Sequence, residues 1–350
     1  MIDLSFYKGK RVFLTGHTGF KGAWLSLMLL EEGAEVTGYS LIPNTEPSLY
    51  KLLRLADNMD SVINDIRDLE SLKTAFDHAN PEIVIHLAAQ PIVRESYRIP
   101  HYTYETNVMG TVNLLECVRQ SKTVRSVLNV TTDKVYENKE WNWGYRENEP
   151  LDGHDPYSNS KSCSELVTHS YVKSFFQGAG ISVSTARAGN VFGGGDFACD
   201  RIIPDCVRGA FTGETIVLRN PNSIRPYQFV LDPLYAYLMI AQRQYNNMAL
   251  ADCYNVGPDD YDYVSTGTLA TLFCEKWGEG MRWESRSAQG PHEANFLKLD
   301  CSKLKSTLGW KPRWHVDTAV EKTVEWSKIY RGHGDIVNCM RRQIKEFYKE

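Results

Sequence analysis
The sequence predicts an α/β chain: a doubly wound parallel sheet of the Rossmann type with a smaller C-terminal lobe. Three observations predict it. Short, β-branched apolar runs alternate with longer helical patterns up to about residue 190, the rhythm of parallel strands joined by crossover helices. Those strands are continuously apolar, which fits a sheet covered on both faces. A glycine turn, GHTGFKG, separates the first strand from the first helix.

RVFLT (11–15) is the first expected strand, followed by a helix from Gly22 to about Glu32. EVTGYS (35–40) is the second and SVIN (61–64) the third, with a helix from about Glu70 to Ala79. EIVIHLA (82–88) is the fourth, followed by a helix from about Tyr104 to Gln120. SVLNVT (126–131) is the fifth, a helix spans about Pro156 to Phe176, and ISVSTARAG (181–189) is the sixth strand. Beyond 190 glycine, proline and tryptophan become frequent, and the elements are expected to be short. This divides the chain into 1–189 and 190–350, with a segment near 227–257 returning to the sheet. The stretch ENKEWNWGYRENEPLDGHDP (137–156) reads as loop; its Trp141, Trp143 and Tyr145 could cover a site or anchor the loop.

With 42% hydrophobic and 23% charged residues in 350, the composition is that of an ordinary soluble chain. A net charge of −4 supplies no basic field for nucleic acid. Apolar runs such as AWLSLMLL are too short to span a bilayer, so no membrane partner is expected. The 8 cysteines form no CxxC pair, so no metal site is expected. The start, MIDLSFYKGKRVFLTG, has no charged-then-apolar leader, and free thiols in the cytoplasm are the expectation.

In the glycine turn, Gly16 permits the tight turn, Gly19 a close approach to a pyrophosphate, and Gly22 the packing of helix on strand. The helix N-terminus then offers free N–H groups to phosphates. A carboxylate usually ends the second strand and binds the adenosine ribose; here Ser40 stands there, and no arginine follows closely. NAD rather than NADP is the expected cofactor. Ser40 offers only a neutral hydrogen bond, about half the strength of one to a carboxylate, so NAD is expected to be held loosely. His17 is expected near the phosphates by proximity alone, and His86 as a core histidine.

PYSNSKS places Tyr157 and Lys161 four residues apart, on one helical face. An ammonium beside a phenol favours phenolate, which makes tyrosine a usable base. A solvated helical face would show the same spacing. At the end of the fifth strand, VTTDK sets an acid, Asp133, beside a base, Lys134.

The motifs GHTGFKG, DIRD (65–68), HLAAQ (86–90), TNVMGT (106–111), TTD (131–133), YSNSK (157–161), ARAGNVFGGGD (186–196), DRIIPD (200–205) and IRPYQFVLDPL (224–234) together resemble the extended short-chain dehydrogenase/reductases. Within them the chain is similar to the nucleotide-sugar 4,6-dehydratases over its whole length. The resemblance implies a triad of Thr132, Tyr157 and Lys161, with Tyr157 taking the proton of the sugar O4 hydroxyl. It implies that residues 1–189 bind NAD, and that 190–350 mainly bind the nucleotide sugar. Gly16, His17, Gly19, Phe20, Lys21, Gly22, Ser40, Asp65, Ile66, Leu87, Ala88, Ala89, Gln90 and Asn107, with Tyr157 and Lys161, are the implied cofactor residues. Arg187, Asn190, Arg201, Ile203, Arg219, Arg225 and Tyr227 are the implied substrate residues.

The related dTDP-sugar enzymes have Asp-Glu after the threonine, and this chain has Asp133-Lys134. Oxidation at C4 acidifies the C5 proton; a base removes it while an acid protonates the departing C6 hydroxyl. Asp133 is the expected acid, which requires a raised pKa. Lys134 is the base, an electrostatic helper at O4, or an outward-facing lysine. CDP-glucose as substrate rests on the resemblance alone. So does a homodimer or homotetramer built on the helices near 104–120 and 156–176. A nucleotide-sugar 4-epimerase is the rival enzyme and an NAD-sensing scaffold the non-enzymatic rival; neither needs an acid after the threonine.

Overall fold
The computed structural model describes residues 3–286 and 296–349. Six strands lie close to their expected positions: β1 (Arg11–Thr15), β2 (Glu35–Ser40), β3 (Asp60–Ile63), β4 (Ile83–His86), β5 (Ser126–Val130) and β6 (Ser182–Ala188). A seventh, Cys253–Val256, was expected only as part of a returning segment; it pairs in parallel with β6. The order across the sheet is Cys253–Val256, β6, β5, β4, β1, β2, β3. Growth of the sheet reverses between β1 and β4, and ligands bind at such a reversal, beyond the strands' carboxyl ends.

Burial on both faces explains the continuous apolar strands. Val12 and Leu14 of β1 join one core, and Phe13 between them joins the other. Thr15 stands level with Tyr39 and His86, and His86 with Asn129. The loops that follow these strands therefore leave from one edge of the sheet. His86 is buried there between Thr15 (2.7 Å) and Thr111 (3.3 Å).

The helices begin where their caps dictate. The first runs Phe20–Glu31, with Gly19 as its cap. The one expected from Tyr104 starts earlier, at Pro100, and passes through a π turn, Glu105–Met109, before Gly110–Gln120. A further helix, Val93–Arg98, was not expected. The helix Pro156–Tyr171 has proline at its first position and Asp155 as cap, accepting from Ser158 N (3.0 Å) and Ser158 Oγ (2.6 Å).

Beyond residue 190 the expectation of short elements fits the strands and fails for the helices. Strands such as Val191–Phe192 and Ile224–Arg225 have 2 residues, but Leu231–Asn246 and Val316–Arg331 have 16 each. Glycine and proline mark the joints between these helices, while tryptophans such as Trp277 and Trp326 are buried in their packing. Of the segment 291–312, residues 291–295 lie outside the described residues. The rest forms the helix Ser302–Leu308, closed by Gly309 at φ 69°. Among the described residues no helix is long and apolar enough to cross a membrane.

Candidate active site
The chain leaves β5 at Val130 in extended backbone. Thr132 caps a short turn, Asp133–Val135: its hydroxyl accepts from Lys134 N (3.4 Å) and donates to Asp133 Oδ1 (2.9 Å). The helix Pro156–Tyr171 runs beside this turn. Ser162 Oγ donates to Val135 O (2.7 Å), and Lys161 Nζ donates to Val130 O (3.1 Å). Thr132, Asp133, Lys134, Tyr157 and Lys161 all line one cavity of about 880 Å³.

Electrostatics separates these groups. Asp133 is 1% exposed, and its Oδ2 has no hydrogen-bond partner among the described residues. Burial pushes its carboxyl above the ordinary range, against the pull of Lys134, the Thr132 hydroxyl and Arg225. Tyr157 departs from expectation. Burial pushes its phenol up to about 12; the hydrogen bond with Thr132 opposes this, and the nearby Asp133 carboxylate adds to it. The Lys161 ammonium, expected to favour the phenolate, donates to the Val130 carbonyl. Burial lowers Lys161 to about 8, with Glu165 opposing. Lys21 lines the same cavity and is lowered to about 7, first by burial and then by Arg201 and Lys161.

The glycine turn packs where β1 and β4 diverge. Gly16 has φ 77°, and a Cβ there would stand 2.7 Å from Ala88 N, so Leu87 and Ala88 cross directly against the turn. A Cβ on Gly22 would meet Gly16 O at 2.1 Å. The helix starting at Phe20 has no side-chain cap, so its first N–H groups stay open to an anion. Ser40 Oγ pairs with Thr18 Oγ1 (2.9 Å), a neutral pair at the end of β2. Asp65 holds Arg67 through two oxygens (3.0 and 2.8 Å to Oδ2, 2.9 Å from Arg67 N to Oδ1), and Ile66 is buried over Gly110. Leu87 and Ala89 reach the cavity.

Three of the expected cofactor residues face elsewhere. The His17 ring is buried beneath Gly38, with Nε2 2.7 Å from Ser61 Oγ, because only a glycine in β2 leaves it room. Asn107, in the π turn, accepts from Gln90 N (2.8 Å) and donates to Gln90 O (3.1 Å) and Ser160 Oγ (2.8 Å). The Gln90 side chain binds Ile92 and Thr103. The Asn107 amide therefore ties the loop after β4 to the helix of Tyr157, and the Gln90 amide ties that loop to Thr103.

Asn190, Arg201, Ile203, Arg219, Arg225 and Tyr227 line the cavity with the five central residues. Arg201 pairs with Asp196 (3.3 Å), Arg219 with Asp200 (2.9 Å), and the Tyr227 hydroxyl with Thr266 (2.8 Å). Arg187 is the exception. It is 1% exposed and points away from the cavity, with Nε and Nη2 on Glu165 (3.1 and 3.0 Å) and Nη1 on Tyr136 Oη (2.9 Å) and Glu147 O (3.0 Å). Alternation along β6 turns it behind the sheet edge while Ala188 and Gly189 lead into the cavity. In the 137–156 loop Tyr145 is a buried anchor stacked on Tyr136 and Trp141, and Trp143 is exposed.

Sequence reasoning missed Thr18, Ser160 and Glu165. Glu165 carried a readable signal, since it continues the four-residue spacing of Tyr157 and Lys161.

A family model described as GDP-mannose 4,6 dehydratase matches residues 13–323. A CDP-glucose 4,6-dehydratase of Salmonella typhimurium is 49% identical to the chain, covering 99% of it and 98% of the relative. Among solved structures, a UDP-glucose 4-epimerase of Thermotoga maritima with UDP-glucose superposes with a TM-score of 0.80 at 22% identity, covering 91% of this chain and 99% of that one. A dTDP-glucose 4,6-dehydratase of Bacillus anthracis in complex with NAD gives 0.77 at 20% identity, covering 93% and 99%. At such identities the structures speak for the fold alone, whereas the family model and the Salmonella relative speak for descent. On those two matches the chain belongs to the GDP-mannose 4,6 dehydratase family.

Proposed function
We propose that the chain catalyses the NAD-dependent 4,6-dehydration of CDP-glucose to CDP-4-dehydro-6-deoxyglucose. The observation that carries this is Asp133: a buried carboxyl held above its ordinary pKa, bonded to Thr132, on the cavity that Tyr157 also lines. A 4-epimerase loses no water and has no use for such an acid. The Salmonella relative supports both the reaction and the cytidine nucleotide.

NAD, when bound, would supply the acceptor for the C4 hydride and the hydride donor for C6. Gly16, Gly19 and the open helix N-terminus at Phe20 would hold its pyrophosphate, Leu87 and Ala88 would pass beneath it, and Ser40 with Thr18 would meet the adenosine ribose loosely. Thr132 binds the sugar O4 hydroxyl, and Tyr157 takes its proton. With the phenol at about 12 in the free protein, Tyr157 starts as the protonated acid. Lys161 must therefore leave the Val130 carbonyl for the base to form. Asp133 gives its proton to the departing C6 hydroxyl, and Lys134, as the free amine, takes the C5 proton and gives it back to C5 when hydride reaches C6. Arg201, Arg219 and Arg225 supply positive charge for the diphosphate. Residues 1–189 serve the cofactor and 190–350 mainly the nucleotide sugar. The chain works in the cytoplasm as a dimer or tetramer paired through the helices after β4 and β5.

Incubation with NAD and CDP-glucose, followed by alkali, is expected to give the absorbance of a 4-keto-6-deoxy sugar, with slower turnover of the UDP, dTDP and GDP sugars. Recovery of a C4-inverted sugar without loss of water would replace this reading by the epimerase. The Lys134→Met variant in D₂O tests the base: C5 deuterium exchange should vanish, and undiminished exchange would remove Lys134 from that step.

A further inference from the structure
Glu165 has no place in the reaction above, yet its carboxylate accepts four hydrogen bonds behind the cavity. Its carboxylate is fully buried. Oε1 accepts from Thr131 Oγ1 (2.5 Å) and Arg187 Nε (3.1 Å), and Oε2 accepts from Thr185 Oγ1 (2.7 Å) and Arg187 Nη2 (3.0 Å). Thr131 immediately precedes Thr132 and Asp133, and its own N–H is bound to Ala186 O (2.9 Å). One carboxylate thus joins the end of β5, the middle of β6 and the helix that carries Tyr157. On that helix Glu165 lies one turn beyond Lys161 and two beyond Tyr157.

Resting on the dehydratase reading, we propose that Glu165 is a positioning residue: through Thr131 it fixes where Thr132 and Asp133 stand, and through its charge it keeps Lys161 in its ammonium form. The groups around this pair define the balance. Lys161 faces Lys21 from the first helix and His86 from β4, both of which oppose or gain nothing from its charge. Glu165 faces Arg187 from β6 and His169 from its own helix (3.7 Å). Glu165 is the negative charge that raises the Lys161 pKa against burial. Replacing it by a neutral group should let Lys161 lose its proton at lower pH.

The experiment compares wild type, Glu165→Gln and the charge-neutral double variant Glu165→Leu/Arg187→Met. The double variant removes both buried charges, a change that is often neutral or stabilising, so it keeps the test alive if Glu165→Gln does not fold. The pH dependence of the Lys161 amine is read by trace acetylation with acetic anhydride and mass spectrometry, which needs no substrate. Its midpoint is expected to fall by about one pH unit or more. Activity with CDP-glucose and NAD is read in parallel. kcat is expected to fall roughly 10- to 100-fold, the scale on which a displacement of about 1 Å acts, with the high-pH limb moved to lower pH and KM little changed. An unmoved Lys161 midpoint in folded Glu165→Gln, or an unmoved kcat in the folded double variant, would overturn the proposal and leave a merely structural ion pair. Absence of dehydratase activity in wild type would instead break the reaction assignment, while the acetylation midpoints would still judge the effect of Glu165 on Lys161.

Discussion

Asp133 and Glu165 are carboxylates of nearly equal burial, at 1% and 0% exposure, and each is bonded to one of two adjacent threonines. They end in opposite states. Glu165 receives four donors, among them the Arg187 guanidinium, and its pKa is lowered although burial alone would raise it. Asp133 has one oxygen bonded and one without a hydrogen-bond partner among the described residues, and its pKa is raised. Depth is the same, so the partners decide the charge. The fully bonded carboxylate is held toward its charged form, and the half-bonded one is pushed toward its protonated form.

The largest effect should come from the cavity side. Tyr157→Phe removes the proposed base for O4 and is expected to lower kcat by about 10³- to 10⁴-fold, measured as 4-keto sugar formation, with NADH formation in single turnover lost equally. Next comes the braced side. Glu165→Gln leaves Arg187 buried without its counter-charge, which should cost about 3–5 kcal/mol, read by chemical denaturation. Its pH dependence has a definite sign. The folded pKa of Glu165 lies below its ordinary 4.5, so the ion pair stabilises fully above that value and fades as pH falls through the folded value. A Glu165→Gln protein as stable as wild type at neutral pH would erase the contrast.

The smallest effect should have the opposite direction. Asp133→Asn removes a buried acid whose folded pKa lies above its ordinary 3.8. Ionising that acid destabilises the fold as pH rises past 3.8, so the variant should be more stable by about 1 kcal/mol at neutral pH and no more stable in strong acid. The same variant should still form NADH with CDP-glucose yet release little 4-keto-6-deoxy sugar, separating C4 oxidation from water loss. Equal destabilisation by Asp133→Asn and Glu165→Gln would mean that the two carboxylates serve one purpose.

Much of this site was readable in one dimension. The glycine turn, the four-residue spacing of Tyr157 and Lys161, and the strand ending in Thr132-Asp133 are local patterns. They depend only on backbone geometry and chain order. Other placements depended on contacts made only in the fold. Arg187 looked like a substrate residue because a cation near a diphosphate site is a fair guess, but strand alternation turned it onto Glu165. His17 looked like a phosphate neighbour, but the space above Gly38 took its ring. Asn107 and Gln90 read as cofactor residues; the Asn107 amide bonds the Gln90 backbone from a π turn that no propensity marks, and the Gln90 amide bonds Ile92 and Thr103.

The sequence by itself determined the alternation of strands and helices, the place of the glycine turn and the residues offered to the cavity, because periodicity and capping act over a few residues. Only the tertiary structure decided which offered groups turn inward, which carboxylate has its pKa raised and which is paired. Protonation depends on desolvation and on partners brought together from β5, β6 and the helix Pro156–Tyr171. In sequence Thr131, Glu165, Thr185 and Arg187 are spread over more than fifty positions, and folding places them within hydrogen-bond distance of one carboxylate.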